Sequence, residues 1–356
     1  MVPVLRATEV EIDAAVQALR DGELVAFPTE TVYGLGANAS NPAAVRRVFA
    51  VKGRPPTHPV IVHLDGVQHL SRWAREVPEL AQRLAARFWP GPLTLVLPRA
   101  HTVSDAVTGG QDTVAVRVPS HPIARQLLTA FGGGIVAPSA NRYGRISPTR
   151  AEHVREELRG AVSIILDGGE CQIGLESTIV AFEGPAVRLL RPGGVSAGQL
   201  RAELGDQLLL GVSSESPRVP GSTRSHYAPL TPVMLVPADE IDHFAAVYSQ
   251  GGRRVAVLAQ RLPLKVHKTV TWINAGSKPE LYARELYANL RSLDKAGCLQ
   301  ILVQDVPQDE RWAAVRDRVS RAAQAHSNAG GNPDGGGNPD GNPEGNPAAG
   351  ARWRSR

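Results

Sequence analysis

"FAVKGRPPTHPVIVH", residues 49–63, packs a helix end, a brake and a strand into one short run. Phe49 lies in a helical pattern that opens at Asn41-Pro42, with proline at the first helical position. Gly53 interrupts the pattern between Lys52 and Arg54, Pro55 and Pro56 stop the helix from resuming, and "PVIVHL" reads as a strand. A helix that turns into an apolar strand is the unit of an α/β fold. Lys52-Gly53-Arg54 admits two readings. One is a solvated loop. The other is a phosphate clamp, in which glycine lets the backbone approach a ligand, arginine offers a planar fork and lysine a point charge. His58 and His63 are five apart, which on a regular strand places them on opposite faces. Only one of them should then serve a given pocket, and they do not form a metal pair.

The alternation continues in both directions. Thr8 and Glu11 form a capping box, followed by Ile12, Ala15, Val16 and Leu19 at helical spacing. "ELVAFPTE", "LTLVLPR", "TVAVRVP", "GIVAPSAN", "VSIILDGG", "STIVAFEG" and "AVRLLRPGG" read as strands, and "PELAQRLAARF", "HPIARQLLTAFGG", "SPTRAEHVREELRG" and "SAGQLRAEL" as helices. Strands outnumber helices, so the fold class is α/β with a mixed, twisted sheet and helices packed on it. This pattern fills residues 1–204. Residues 205–229 read as a linker, and residues 230–326 as a smaller Rossmann-like α/β domain with parallel-sheet alternation. The Gly/Asn/Pro repeat of residues 327–356 has nothing to bury and is expected to be disordered.

Composition narrows the function. The chain has 356 residues, enough for two domains, and a formal charge of +5 that permits a polyanionic ligand. Cys171 and Cys298 are too far apart for a zinc motif or a disulfide scaffold and fit a reducing compartment. No signal-type or membrane-spanning run is visible, so a soluble cytoplasmic protein is expected. Gly34, Gly36 and Ala39 match a dinucleotide fingerprint in spacing only, because the following helix waits until Pro42. No P-loop occurs.

Polar residues recur at strand ends: Thr29, Glu30, Thr31 and Tyr33; Arg117; Ser139, Asn141, Arg142, Arg145 and Ser147 before a helix opening at Pro148 or Thr149; Glu176-Ser177-Thr178; and Arg191. No Ser-His-Asp set, nucleophilic cysteine or carboxylate pair stands out. Such a site is suited to binding and orienting anions, the manner of nucleotidyl transfer.

Eight segments in order, "PTETVYGLGANA", "KGRP", "PVIVHL", "WPGPLTLVL", "VAVRVPSHP", "APSANRYGRISPT", "GLESTIV" and "RLLRPG", together resemble the YrdC-like family. Lys52-x-Arg54 and Ser139-x-Asn141 match its KxR and SxN signature, and "PGSTRSHYAP" with the second α/β domain resembles its long form. The resemblance runs from residue 1 to about residue 325. It implies an open, concave, basic sheet that condenses L-threonine, bicarbonate or CO2 and ATP to threonylcarbamoyl-adenylate, releasing pyrophosphate. The product would pass to a separate transferase complex that modifies tRNA. Carried over by motif, Thr31, His63, Arg117, Ala137 and Ser177 should face threonine, and Arg54, His58, Thr113, Ser139, Ser147 and Arg191 should face ATP. Lys52 and Asn141 complete the catalytic set with Arg54 and Ser139, and Tyr227, with His226 beside it, should close over the nucleotide. His58 stands where the family pattern has asparagine. Mg²⁺ should arrive on the phosphates of ATP. The rival reading is a non-catalytic protein that binds RNA on the basic concave face; an aromatic content of 5% argues against it. Read as an exposed loop residue, Arg54 should tolerate replacement by alanine without loss of the fold.

Overall fold

The computed structural model describes residues 4–6, 8–221 and 227–327. His226 and the repeat from residue 328 onward lie outside the described residues. In chain order the first unit contains β1 (Val4–Arg6), α1 (Glu9–Arg20), β2 (Val25–Phe27), β3 (Gly34–Asn38), α2 (Pro42–Lys52), β4 (Ile61–His63), α3 (Glu79–Phe88), β5 (Leu93–Pro98), α4 (Asp105–Thr108), β6 (Thr113–Arg117), α5 (Pro122–Phe131), β7 (Ile135–Val136), α6 (Ala151–Leu158), β8 (Ile164–Asp167), β9 (Thr178–Glu183), β10 (Ala186–Arg191), α7 (Ala197–Leu204) and β11 (Leu208–Leu210). Its strands form one mixed sheet in the order β1-β8-β2-β3-β7-β4-β6-β5-β9-β10-β11.

The stretch around Lys52 folds as its residues dictate. Asn41 Oδ1 accepts from the amides of Ala43 and Ala44, Pro42 starts α2, and Gly53 ends it at φ 63°, a left-handed conformation that costs glycine little. Val60 and Val62 enter the main core cluster, whereas Ile61 packs in a separate cluster on the other face with Ala115, Ile179 and Leu190. The period of two then puts His63 on the Ile61 side. His58 precedes β4 rather than lying on it. The glycine-rich run once compared with a dinucleotide loop is strand β3, antiparallel to β2 and β7. A Cβ on Gly36 would stand 2.8 Å from the Phe27 ring, so close strand packing accounts for that glycine.

Two boundaries differ from the sequence reading. Helix α6 begins at Ala151, later than Pro148 or Thr149, because Arg150 keeps an extended backbone; the Thr149 amide donates to His153 Nδ1. Of residues 205–229, Leu208–Leu210 form a strand parallel to β10, and Val219 packs across the Ile61 face.

The second unit comprises β12 (Val233–Val236), α8 (Ile241–Tyr248), β13 (Val255–Ala259), β14 (Val270–Asn274), α9 (Pro279–Asp294), β15 (Gln300–Gln304) and α10 (Ala313–Ser327). Its sheet is parallel throughout, in the order β12-β15-β13-β14. The core under α9 and α10 also takes in Val32, Ile146, Leu175 and Tyr227, so the two units share a buried apolar seam.

Candidate active site

Strands β4 and β6 run parallel with His63 and Arg117 in register, bringing both side chains to the same level of the sheet. Thr31, in the β2–β3 turn, accepts from Arg117 Nη1 at 2.9 Å and shares a 2.8 Å hydrogen bond with the Thr29 hydroxyl. Arg117 Nε donates to the Gly91 carbonyl, and Nη2 lies 2.6 Å from Glu30 Oε1, an ion pair buried at both ends. That contact is close but off the hydrogen-bonding direction. His63 is buried edge-on to Phe27, and its Nδ1 has no partner among the described residues. Burial, reinforced by Arg117, pushes its pKa down to about 3, so the ring is neutral at physiological pH.

A second group gathers where β4 begins. Lys52 Nζ donates to the carbonyls of Ser139 and Asn141, both at 2.5 Å. Burial, then the neighbouring Arg54, holds the Lys52 ammonium well below its ordinary range. Arg54 Nη2 donates to the Pro59 carbonyl at 2.7 Å, and Nε has no hydrogen-bond partner among the described residues. Arg54 is only 8% exposed and burial lowers its pKa to about 10, so it is not the exposed loop residue its sequence context suggests. From β10, Arg191 reaches the Ser177 carbonyl through Nε and Nη2, the Ser177 hydroxyl at 3.1 Å, and the Pro220 carbonyl through Nη1. These groups line one cavity.

Glu176 closes the wall. It accepts from the Ser147 hydroxyl at 2.6 Å, the Tyr287 hydroxyl at 2.9 Å and Arg318 Nε at 2.8 Å. Burial alone would raise its pKa, but Arg318 and Arg191 outweigh that and draw it down to about 2. The guanidinium of Arg318 also stands 5.0 Å from the centre of the Tyr227 ring, which stacks on Tyr287. Tyr227 is buried at φ 64°, a left-handed backbone that a tyrosine rarely adopts.

Of the residues singled out from sequence, the cavity brings together Thr31, Lys52, Arg54, His63, Arg117, Ser139, Glu176, Ser177, Arg191 and Tyr227. The others stand outside its lining. Ala137 packs under Gly34, where an added Cβ would meet its own at 2.9 Å. His58 lies against the Tyr143 ring. Thr113 heads β6 opposite Pro98. Asn141 is buried, its amide donating to the carbonyls of Arg142 and Arg145, which shapes the loop rather than presenting a group to the cavity. Ser147 is committed to Glu176. The sequence reading missed Tyr287 and Arg318. One signal was available: Arg318 falls on the stripe of Val315, Val319 and Ala322 along α10, a charge on an apolar face that needs a buried partner.

Residues 17–193 match the Sua5/YciO/YrdC family, described as telomere recombination, and residues 195–324 match the threonylcarbamoyl-AMP synthase C-terminal domain. The threonylcarbamoyl-AMP synthase of Pyrococcus abyssi is 41% identical over 329 residues, covering 89% of this chain and 95% of that one. Its Bacillus subtilis counterpart is 40% identical over 327 residues, covering 90% and 94%. The solved structure of P. abyssi Sua5 complexed with L-threonine superposes with a TM-score of 0.83 at 40% identity, over 91% of this chain and 97% of that chain. With both family regions present in order and matched along nearly the whole length of these relatives, the chain belongs to the threonylcarbamoyl-AMP synthase (Sua5/YrdC) family.

Proposed function

We propose that the protein is an L-threonylcarbamoyladenylate synthase, a nucleotidyltransferase that joins L-threonine, bicarbonate or CO2 and ATP, releasing pyrophosphate. The observation that carries this reading is one cavity with two chemically distinct groups. Thr31, His63 and Arg117 cluster where β4 ends, and Lys52, Arg54 and Ser139 where it begins. Pro59, bonded by Arg54, and His63 are separated by about 13 Å of extended chain. That span suits an amino acid at one end and a triphosphate at the other.

Threonine's neutral amine adds to CO2, and one N–H proton is lost to solvent, giving a carbamate. The carbamate oxygen bonds to the α-phosphorus, the bond from that phosphorus to the β-bridging oxygen breaks, and pyrophosphate leaves with the electron pair. The nucleophile is supplied by substrate, so the protein's part is binding, orientation and charge. His63 presents an uncharged nitrogen to threonine, and the cations Lys52, Arg54 and Arg191 offset phosphate charge. Mg²⁺ enters with ATP. The buried carboxylates Glu30 and Glu176 are engaged by Arg117 and Arg318, and no group of three or more His, Cys, Asp or Glu side chains able to hold an ion occurs among the described residues. We place the enzyme in the cytoplasm, with its product passed to the complex that transfers threonylcarbamoyl to tRNA. No helix among the described residues is long and apolar enough to cross a membrane.

The cations are buried in a cavity rather than spread over an exposed face, which favours a nucleotide over an RNA backbone. Pyrophosphate release from Mg-ATP, with and without threonine and bicarbonate, tests the reading. Release that depends on both, with threonylcarbamoyl-AMP detected by mass spectrometry, is expected; release indifferent to threonine would overturn it.

A further inference from the structure

We propose that Arg318, on the last helix of the second unit, is a positioning residue for the nucleotide: it cancels the charge of Glu176 in the cavity wall and holds Tyr227 against the site. This rests on the synthase reading given above.

Glu176 lines the same cavity as Lys52, Arg54 and Arg191. A carboxylate in that position would repel a triphosphate and compete for the cations meant to receive it. Ser147 and Tyr287 donate hydrogen bonds to it but carry no charge. Among the described residues, Arg318 is the hydrogen-bonding partner that brings a compensating cation, through a contact in which the arginine is buried and the glutamate nearly so; Arg191 attracts the carboxylate without bonding it. At an effective dielectric near 20, a bare unit charge about 10 Å from a phosphate changes its binding by tenfold or more.

The same guanidinium serves a second purpose. Nη1 bonds Asp317 and Nη2 has no hydrogen-bond partner among the described residues, while the plane of charge lies over the Tyr227 ring. Tyr227 belongs to the strap between the units and is kept in a left-handed backbone conformation, which needs support from its surroundings. Arg318 on one side and the stacked Tyr287 on the other provide it. The second unit thereby reaches the nucleotide site without lining it.

Some relatives named threonylcarbamoyl-AMP synthase match less than half of this chain. That of Halorhodospira halophila covers 43% of this chain and 81% of its own length. A second unit is therefore no general requirement for a protein of that name. The need for Arg318 in this chain follows from its own buried Glu176.

The test is steady-state threonine-dependent pyrophosphate release by the full-length protein, with folding checked by circular dichroism. Arg318→Met should raise KM for ATP about tenfold or more, leaving KM for threonine within about threefold. Arg318→Lys should keep most of the ATP affinity, because the charge remains. Glu176→Gln combined with Arg318→Met should bring KM for ATP back to within about threefold of wild type, because the repelling charge is gone and the Tyr287 ring still supports Tyr227. A folded Arg318→Met variant with wild-type KM for ATP overturns the proposal. So does a double variant as impaired as the single one, and that comparison with wild type decides the matter if Arg318→Met alone does not fold. Failure of the synthase reading is separate: it appears as no threonine-dependent release by the wild-type protein.

Discussion

Lys52 Nζ donates at once to the carbonyls of Ser139 and Asn141, joining the two halves of the KxR and SxN signature directly. The signature thus describes a contact as well as a set of ligand groups. Lys52 is buried and keeps the Ser139 loop folded over the start of β4. Lys52→Met preserves the stem but orphans two carbonyls, one of them fully buried. It should lower the free energy of unfolding by about 2–4 kcal/mol and threonine-dependent pyrophosphate release at least about tenfold. Urea denaturation and the release assay check the two effects together.

Arg54→Ala should cost more than an exposed-loop change. It removes a buried guanidinium bonded to the Pro59 carbonyl and packed 5.9 Å from the Phe49 ring centre. The expected losses are about 1–3 kcal/mol in stability and at least about tenfold in kcat/KM for ATP. Arg54→Lys should not restore activity, since lysine cannot reproduce the fork. Near wild-type ATP use by the alanine variant would remove Arg54 from the phosphate clamp.

The neutral state of His63 has a stability signature. Its folded-state pKa of about 3 lies below the ordinary histidine value of 6.5. The unfolded chain therefore binds the proton more readily throughout that interval. The contribution to stability is complete above pH 6.5 and is lost as pH falls toward 3. His63→Asn should reduce the stability difference between pH 7 and pH 5 by up to about 2 kcal/mol. His153, pushed to about 4 chiefly by burial and then by Arg291, adds to the same slope and remains in the variant. Urea midpoints at the two pH values give the answer; an unchanged difference would show that His63 is not buried neutral.

Gly193→Ala tests the Glu176 wall without touching a charge. The new Cβ would lie 2.3 Å from the Glu176 carbonyl oxygen and 2.5 Å from the Thr178 amide nitrogen, both backbone atoms that cannot turn away. A stability loss of about 2 kcal/mol or more and a raised KM for ATP are expected. Gly184→Ala is a control for general sensitivity to added methyl groups. Its φ of 56° carries a backbone penalty, but the site is open, with no atom within 4 Å.

Truncation after Ser327 should leave activity within about twofold of wild type. The matched C-terminal domain ends at residue 324, and the removed segment is the Gly/Asn/Pro repeat. The release assay on the shortened chain checks this.

Much of the architecture was legible because it is local. The proline and glycine around α2 and the alternation through β4 fix those elements from their own residues. The concentration of Thr31, Arg117, Ser139, Ser177 and Arg191 was visible as polar residues at strand ends, and Arg54 as part of the tripeptide that ends α2. What stayed hidden is pairing at long range. Glu30 reaches Arg117, and Glu176 reaches Arg318 in the other unit, across 142 residues. No spacing rule links such positions; only the folded sheet and the packing of α10 do. Asn141 and Ser147 show the converse. Their residue types suit ligand contact, yet Asn141 is taken up by carbonyls of its own loop and Ser147 by Glu176.

The bond from Arg318 to Glu176 also sets an order in time. Synthesis runs from the N-terminus, so Lys52, Arg54, Arg117, Ser139, Glu176 and Arg191 have all left the ribosome well before Arg318 is made. Until then the nascent pocket has its carboxylate without its counter-charge. A chain ended by a premature stop between residues 230 and 318 would hold every signature motif and still lack this ion pair. A balanced nucleotide pocket thus depends on a residue made after every signature motif of the first unit.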